Sequence, residues 1–322
     1  MLVGCGGDND GNSSSAGEGH VTFANAGWDS AYLHNAIAGT VAEVVFGYTW
    51  DELPGSTTVL LEGVATGEVD VQMETWTDNL ATYEDDVENG RFQELGVNFD
   101  DNYQGIYVPR YVIEGDEERG IEAVAPDLQH VKDLNDYSEV FPDDEDPSMG
   151  RLYGSIPGWE VDDIIYAKYE HYNLDENFVY FRPGSDAALA TAITSAYERG
   201  EPIAAYYWEP TWLLGMYDMV LLENEPFDPD TFRTGATEFP PVDVTVGASN
   251  NFEEIEENAE LIAFLRNYET SSALTSEGLA YMQETDADYV ETAKWFLSEH
   301  SELLDEWLEA DDAQTIKDFL NK

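Results

Sequence analysis

Three tryptophans stand in similar local contexts in distant parts of the chain. Trp76 ends the run DVQMETW, Trp159 ends SIPGW and Trp208 ends AAYYW, and polar or turn-forming residues follow each of them at once. A strand that ends in this way can point its last side chain into a crevice at the edge of a sheet. Three indoles from three distant segments could therefore line one pocket.

Indole rings around a small pocket suit a quaternary ammonium ion better than other ligands. Such a cation has no N–H to donate, so hydrogen bonds cannot hold it. The π faces of aromatic rings attract it with about 1–2 kcal/mol each once water is excluded. The pattern therefore predicts that Trp76, Trp159 and Trp208 form an aromatic cage. The alternative is that the three indoles are core residues, as large aromatic side chains often are.

The residues after Trp159 predict a site for a carboxylate. If a helix begins at Val161, the N–H groups of Glu160 and Val161 are among those without a partner inside that helix. Helix N-termini of this kind bind anions readily. One ligand could then place an ammonium among the indoles and an anionic group at this helix end.

Three further residues are additional candidates for the pocket. Gly27 and Trp28 form a turn before the first predicted helix, where glycine permits close backbone approach. Trp28 either walls the pocket or packs beneath that helix. Tyr207 could add a ring, although neighbouring residues of a strand face opposite ways, so one of Tyr206 and Tyr207 must face the core. The five histidines have no metal-ligand spacing, so we predict neither a metal nor a cofactor.

Strand-like runs alternate with helical patterns between these candidates, which predicts an α/β fold with mostly parallel sheets. HVTFANAG at 20–27 predicts a strand, and 29–48 predicts a helix capped by Asp29 or Ser30. TTVLLEG at 57–63 is predicted to be another strand. From residue 252 onward nearly all of the chain is predicted to be helical.

The charge balance of the chain is extreme. Against 13 lysines and arginines stand 68 aspartates and glutamates, for a formal charge of −55. Such self-repulsion destabilises a compact state in dilute buffer. At about 1 M salt the Debye length is only about 3 Å, and the repulsion is screened. The composition therefore predicts adaptation to very high salt, and it argues against a nucleic-acid partner, which is itself a polyanion.

The single cysteine, Cys5, lies in the segment LVGCGG. Residues 2–5 match the lipobox of secreted lipoproteins, in which the cysteine takes a lipid and becomes the mature N-terminus. A tract rich in Gly, Ser, Asp and Asn follows, with the composition of a flexible linker. We therefore predict that 1–19 are a lipobox remnant and tether, which anchors the protein through Cys5 to the extracellular face of the cell membrane. The alternative is a chance match of a short motif.

Three segments carry a family resemblance that covers nearly everything after the tether. They are PGWEVDD at 157–163, GSDAALATAITSAYERGEPIAAYYWEPTW at 184–212 and FPPVDVTVGASNNF at 239–252. These segments resemble the substrate-binding proteins of glycine betaine and proline betaine ABC transporters, the OpuAC/ProX-like family. The resemblance implies a two-lobed, type II periplasmic-binding-protein-like fold with the ligand in the cleft. We expect lobe I at 20–108 and 243–322 and lobe II at 109–242, each a mostly parallel sheet flanked by helices.

The resemblance also implies roles for the candidate residues. In that family, indoles at the positions of the three tryptophans cage the trimethylammonium group, and backbone N–H groups at the positions of Glu160 and Val161 commonly hold the ligand carboxylate. Some members add a histidine after the first tryptophan, where this chain has Leu80. The implied protein is an extracellular monomer that captures glycine betaine or a related solute and delivers it to an ABC transporter permease.

Two alternatives stay open at this point. The partner could be a membrane chemotaxis transducer instead of a permease, because the cleft would be the same. The ligand could be choline, carnitine or proline betaine. We do not expect an enzyme, because no nucleophile and base stand in a recognisable arrangement.

Overall fold

A computed structural model describes residues 19–322. Cys5 lies outside these residues, as does nearly all of the predicted tether. Within the described range the strands β1 to β10 are His20–Asn25, Thr49–Pro54, Val71–Trp76, Gln93–Phe99, Gln104–Pro109, Gly150–Tyr153, Phe178–Phe181, Ala204–Trp208, Met219–Leu221 and Val244–Ala248. The helices α1 to α13 are Asp29–Phe46, Thr57–Thr66, Tyr83–Glu88, Arg110–Glu114, Val161–His171, Asp186–Arg199, Trp212–Met216, Asn250–Glu253, Ala259–Asn267, Ser272–Thr285, Tyr289–Glu299, Leu303–Trp307 and Ala310–Leu320.

The strands form two sheets, each of five strands. The first has the order β2-β1-β3-β10-β4 and the second the order β7-β6-β8-β5-β9. In each sheet four strands run one way and one runs against them, β10 in the first sheet and β5 in the second. Each of these antiparallel strands is the first that the chain forms after it crosses between the sheets. The predicted α/β fold with two mostly parallel sheets is confirmed.

The chain crosses between the sheets twice. The first crossing lies between Phe99 and Gln104, and the return lies between Leu221 and Val244. Strand β5 already pairs with β8 and β9 of the second sheet. By the sheet to which each strand belongs, the first boundary between the lobes therefore lies at 100–103 and not at the predicted 108/109. Pro109 is the last residue of that strand. The second predicted division, at 242/243, falls within the return connection.

The prediction of a strand at TTVLLEG is wrong, because these residues begin helix α2. Leu60, Leu61 and Val64 are buried, and their spacing of three and four residues is that of one helix face. Gly67, at φ 77°, closes the helix by donating its N–H to the carbonyls of Gly63 and Val64. A short run of apolar and β-branched residues does not by itself separate a strand from a buried helical turn.

Helix α5, which begins two residues after Trp159, is anchored by a buried lysine. Lys168 is only 1% exposed. Its Nζ donates hydrogen bonds to Asn224 Oδ1 at 2.8 Å and to the carbonyls of Gly235 at 3.2 Å and Thr237 at 2.6 Å. All three ammonium protons therefore have an acceptor. Burial lowers the pKa of Lys168 to about 7.

We expect Lys168→Met to lower the free energy of unfolding by about 2–4 kcal/mol, because buried acceptors that lose their donor cost about 1–3 kcal/mol each. Unfolding in urea at constant salt measures the change. Lys132→Met is the matched control, since the Lys132 side chain is 55% exposed and lies 3.7 Å from Glu225. Surface pairs of that kind contribute about 0–1 kcal/mol. Equal losses in the two variants would show that Lys168 is not an anchor.

Candidate functional site

A cavity of about 430 Å³, counted out to bulk solvent, lies between the two sheets. Four indoles and one phenol line it, from Trp28, Trp76, Trp159, Trp208 and Tyr206. Trp76 and Trp208 are the last residues of β3 and β8. The cavity therefore lies at the carboxyl ends of strands, where open α/β sheets bind ligands.

Three of the four indoles that line the cavity contact one another. The Trp159 ring packs edge-to-face against Trp28 at a centroid distance of 5.0 Å and against Trp208 at 5.2 Å. Trp76 packs edge-to-face on Phe99 at 6.0 Å, on the first-sheet side. The structure therefore brings the three predicted tryptophans to one cavity. Trp28 walls that cavity as well.

Local backbone geometry places each of the predicted indoles. Trp76 is held at the end of β3 by a hydrogen bond from its Nε1 to Glu74 Oε1 at 2.9 Å. Gly158, at φ 97°, turns the chain just before Trp159, whose N–H donates to the carbonyl of Ile156 at 3.1 Å. Trp208 lies on the same face of β8 as Tyr206, since alternate residues of a strand share a face.

Two of the additional candidates do not line this cavity. Tyr207 is buried outside the lining, with its ring 4.7 Å from that of Trp208. Gly27 borders a neighbouring groove, and its N–H donates to Asn25 Oδ1 at 2.9 Å.

Of the two backbone N–H groups predicted to bind a carboxylate, one forms a hydrogen bond within the protein. The backbone N–H of Glu160 donates to Thr57 Oγ1 at 3.1 Å. The N–H of Val161, the first residue of α5, forms no hydrogen bond with any described residue. Both residues line the cavity, and so does the apolar side chain of Leu80. One backbone donor is therefore open to a ligand in this arrangement.

The sequence pattern missed the polar wall of the cavity. Gln72, Glu74 and Trp76 all line it, as alternate residues of β3. Glu74 is 3% exposed, and its Oε1 also accepts a hydrogen bond from Ser30 Oγ at 3.1 Å. Burial raises the pKa of the Glu74 carboxyl to about 7. The same alternation that places Trp76 could have identified Glu74.

The two lobes are in contact around the cavity. From the second lobe, Trp159 Nε1 donates to the carbonyl of Ala26 at 3.2 Å. Thr57 on α2 donates its N–H to the carbonyl of Gly158 at 3.2 Å. Thr58 Oγ1 donates to the side chain of Glu160 at 2.6 Å. The structure is therefore the closed arrangement, in which indoles from both lobes meet.

The fold is that of two-lobed solute-binding proteins. Similar structures include the glycine betaine and L-proline-binding protein ProX from Borrelia burgdorferi, with a TM-score of 0.70 and 18% identity over 92% of this chain and 99% of that one. An ABC-transporter choline-binding protein in complex with choline has a TM-score of 0.72 and 18% identity over 94% and 98%. Lactococcal OpuAC, closed on glycine betaine, has a TM-score of 0.67 and 18% identity over 90% and 100%. A search of curated protein sequences finds no significant match.

Residues 19–299 match the family model for the substrate-binding domain of ABC-type glycine betaine transport systems, and the chain belongs to that family. The resemblance predicted from the three segments is confirmed. The family consists of solute-binding proteins of ABC transporters and is not a class of enzymes. Substrate-binding proteins of ABC importers are extracellular or periplasmic. Between residues 19 and 322, none of the helices has the length and hydropathy that a membrane span requires.

Proposed function

We propose that this protein captures glycine betaine or a related quaternary ammonium solute outside the cell and delivers it to an ABC transporter permease. The observation that carries the proposal is the cavity closed by Trp28 and Trp76 from one lobe and by Trp159 and Trp208 from the other. A permanent cation without N–H groups is the ligand that such a set of rings binds best.

The proposal gives the remaining predicted residues their roles. The open N–H of Val161 supplies a donor for the polar end of the ligand, with the N–H of Glu160 available when Thr57 turns away. Cys5 carries the lipid that keeps the protein at the membrane. The protein acts as a monomer and does not transform its ligand, because capture and release are all that delivery requires.

Calorimetry in molar KCl tests the proposal directly. We expect glycine betaine, proline betaine, choline or carnitine to bind. The matched isosteres are 3,3-dimethylbutyrate for glycine betaine and 3,3-dimethylbutanol for choline. We expect each isostere to bind about tenfold or more weakly than its parent compound, because it keeps the shape and loses the positive charge. Absence of binding by all four quaternary ammonium compounds would contradict the proposal.

Closure gives a second readout of the same binding. Since the cage needs indoles from both lobes, the ligand should shift an open–closed equilibrium toward the closed form. We expect the radius of gyration measured by small-angle X-ray scattering to fall when saturating ligand is added, and tryptophan fluorescence to change. A radius unchanged by a ligand that calorimetry shows to bind would mean that the site is already formed in the free protein.

A further inference from the structure

Glu74 is a buried acid with one unused oxygen on the cavity wall. Its Oε1 accepts hydrogen bonds from Trp76 Nε1 and Ser30 Oγ. Its Oε2 has no hydrogen-bond partner, although the side chain is 97% buried. A buried acceptor without a donor is costly, and native structures usually supply one. Trp28 Nε1, which is also buried without a hydrogen-bond partner, lines the same cavity and acts to lower the pKa of Glu74. Oε2 therefore still has room to accept a hydrogen bond from a ligand in the cavity.

Among the residues that the structure describes, no positive side chain lines the cavity with Glu74. The charged residues that line it are Glu74 and Glu160, and the Glu160 carboxylate is engaged by Thr58 Oγ1. Among the described lining residues there is neither a lysine nor an arginine. A ligand with a positive charge and a hydroxyl would complete this wall, whereas a ligand carboxylate would meet a second carboxylate.

We propose that Glu74 is a specificity-determining residue of the cage. Its Oε2 accepts the hydroxyl hydrogen of a quaternary ammonium alcohol, and its negative charge weakens the binding of quaternary ammonium carboxylates. This inference rests on the proposed function, because it assigns the choice among quaternary ammonium ligands to one side chain. The indoles alone cannot make that choice, since both ligand types carry the same trimethylammonium group.

The protonation of Glu74 makes the choice depend on pH. Because burial raises its pKa to about 7, Glu74 is ionised above that pH and favours the alcohol. Below that pH the neutral carboxyl can donate to a ligand carboxylate. Tyr268 lies near Glu74 and stays neutral because burial raises its pKa well above 10. His34, whose Nδ1 is hydrogen-bonded to the Tyr268 hydroxyl, stays neutral because burial lowers its pKa to about 3.

The test compares choline with glycine betaine by calorimetry at about pH 6 and pH 8 in molar KCl. We expect the affinity for choline relative to glycine betaine to rise by about tenfold or more between these pH values in the unmodified protein. Glu74→Gln keeps the size of the side chain and an oxygen for Trp76 and Ser30. We expect this variant to lose the pH dependence and to shift the ratio toward glycine betaine at pH 8.

Asp243→Asn is the matched control. Asp243 is exposed and lies one residue before β10, so the substitution removes the same charge outside the cavity. We expect its ratio and pH dependence to equal those of the unmodified protein. A ratio independent of pH in the unmodified protein, or unchanged in Glu74→Gln, would overturn the role of Glu74 and leave the proposed function intact. The pH series on the unmodified protein needs no substitution, so a variant that fails to fold does not prevent the test.

Discussion

Replacement of Trp159 by alanine is expected to weaken binding of the quaternary ammonium ligand by about a hundredfold, or about 2.7 kcal/mol. The substitution removes one face of the cage, worth about 1–2 kcal/mol once desolvated. It also removes the edge-to-face contacts with Trp28 and Trp208, and such pairs contribute about 0.5–1.5 kcal/mol each. The hydrogen bond from Nε1 to Ala26, which joins the lobes, is lost as well.

The loss should be larger than for Trp76→Ala or Trp208→Ala, for which we expect about tenfold. Trp295→Ala is the matched control, since that ring stacks on Tyr281 at 4.1 Å in the C-terminal helices and does not line the cavity. Calorimetry on variants whose folding is checked by circular dichroism gives the comparison. Wild-type affinity in all three cage variants would show that the indoles do not hold the ligand.

Transfer from about 2 M to about 0.1 M KCl is expected to unfold the protein, because the Debye length grows from under about 3 Å to about 10 Å. The formal charge is −55, and most of the few positive side chains are already paired. Nine of the 13 lysines and arginines pair with an acidic side chain. Mobile cations from the salt must therefore screen the remaining negative charge. Repulsion on this scale can exceed a stability that is typically about 5–15 kcal/mol.

Far-ultraviolet circular dichroism along a series of KCl concentrations measures this dependence. A parallel series in NaCl is the control, since screening depends on ionic strength and not on which monovalent cation supplies it. We expect the affinity for zwitterionic glycine betaine to vary little over the range in which the protein stays folded. Full stability at about 0.1 M would refute the predicted adaptation to high salt.

The sequence predicts the site best where a residue type and its local context agree. Trp76, Trp159 and Trp208 each end an apolar run before a polar break, and all three line the cavity. Glu74 was missed because composition does not single out one residue among 68 acidic side chains; only its position two residues before Trp76 on β3 places it on the cavity wall. Alternation along the strand would have favoured Tyr206 over Tyr207 as a further ring, because Tyr206 shares the face of Trp208.

The two edge strands of the first sheet were not predicted from the sequence. Strand β8 is an apolar run of the kind that a buried parallel sheet favours, whereas β3 is buried throughout although it carries Gln72 and Glu74. Strand β2 lies at an edge of the first sheet and has no fully buried residue, so its sequence TWDELP carries little strand signal. Strand β4, at the other edge, alternates imperfectly and was also missed. The ends of sheets are set by their neighbours more than by their own residues.

The position of β10 sets the order in which the two lobes can be completed. Within the described residues, β10 lies between β3 and β4 and is the only strand that pairs with β4. The second sheet, in contrast, uses only residues between Gln104 and Leu221. During synthesis from the N-terminus, the chain can therefore complete the second sheet before β4 has a strand to pair with. The lobe that begins first is the last to be assembled, and β4 is an open edge, available to other chains, until Val244–Ala248 arrives.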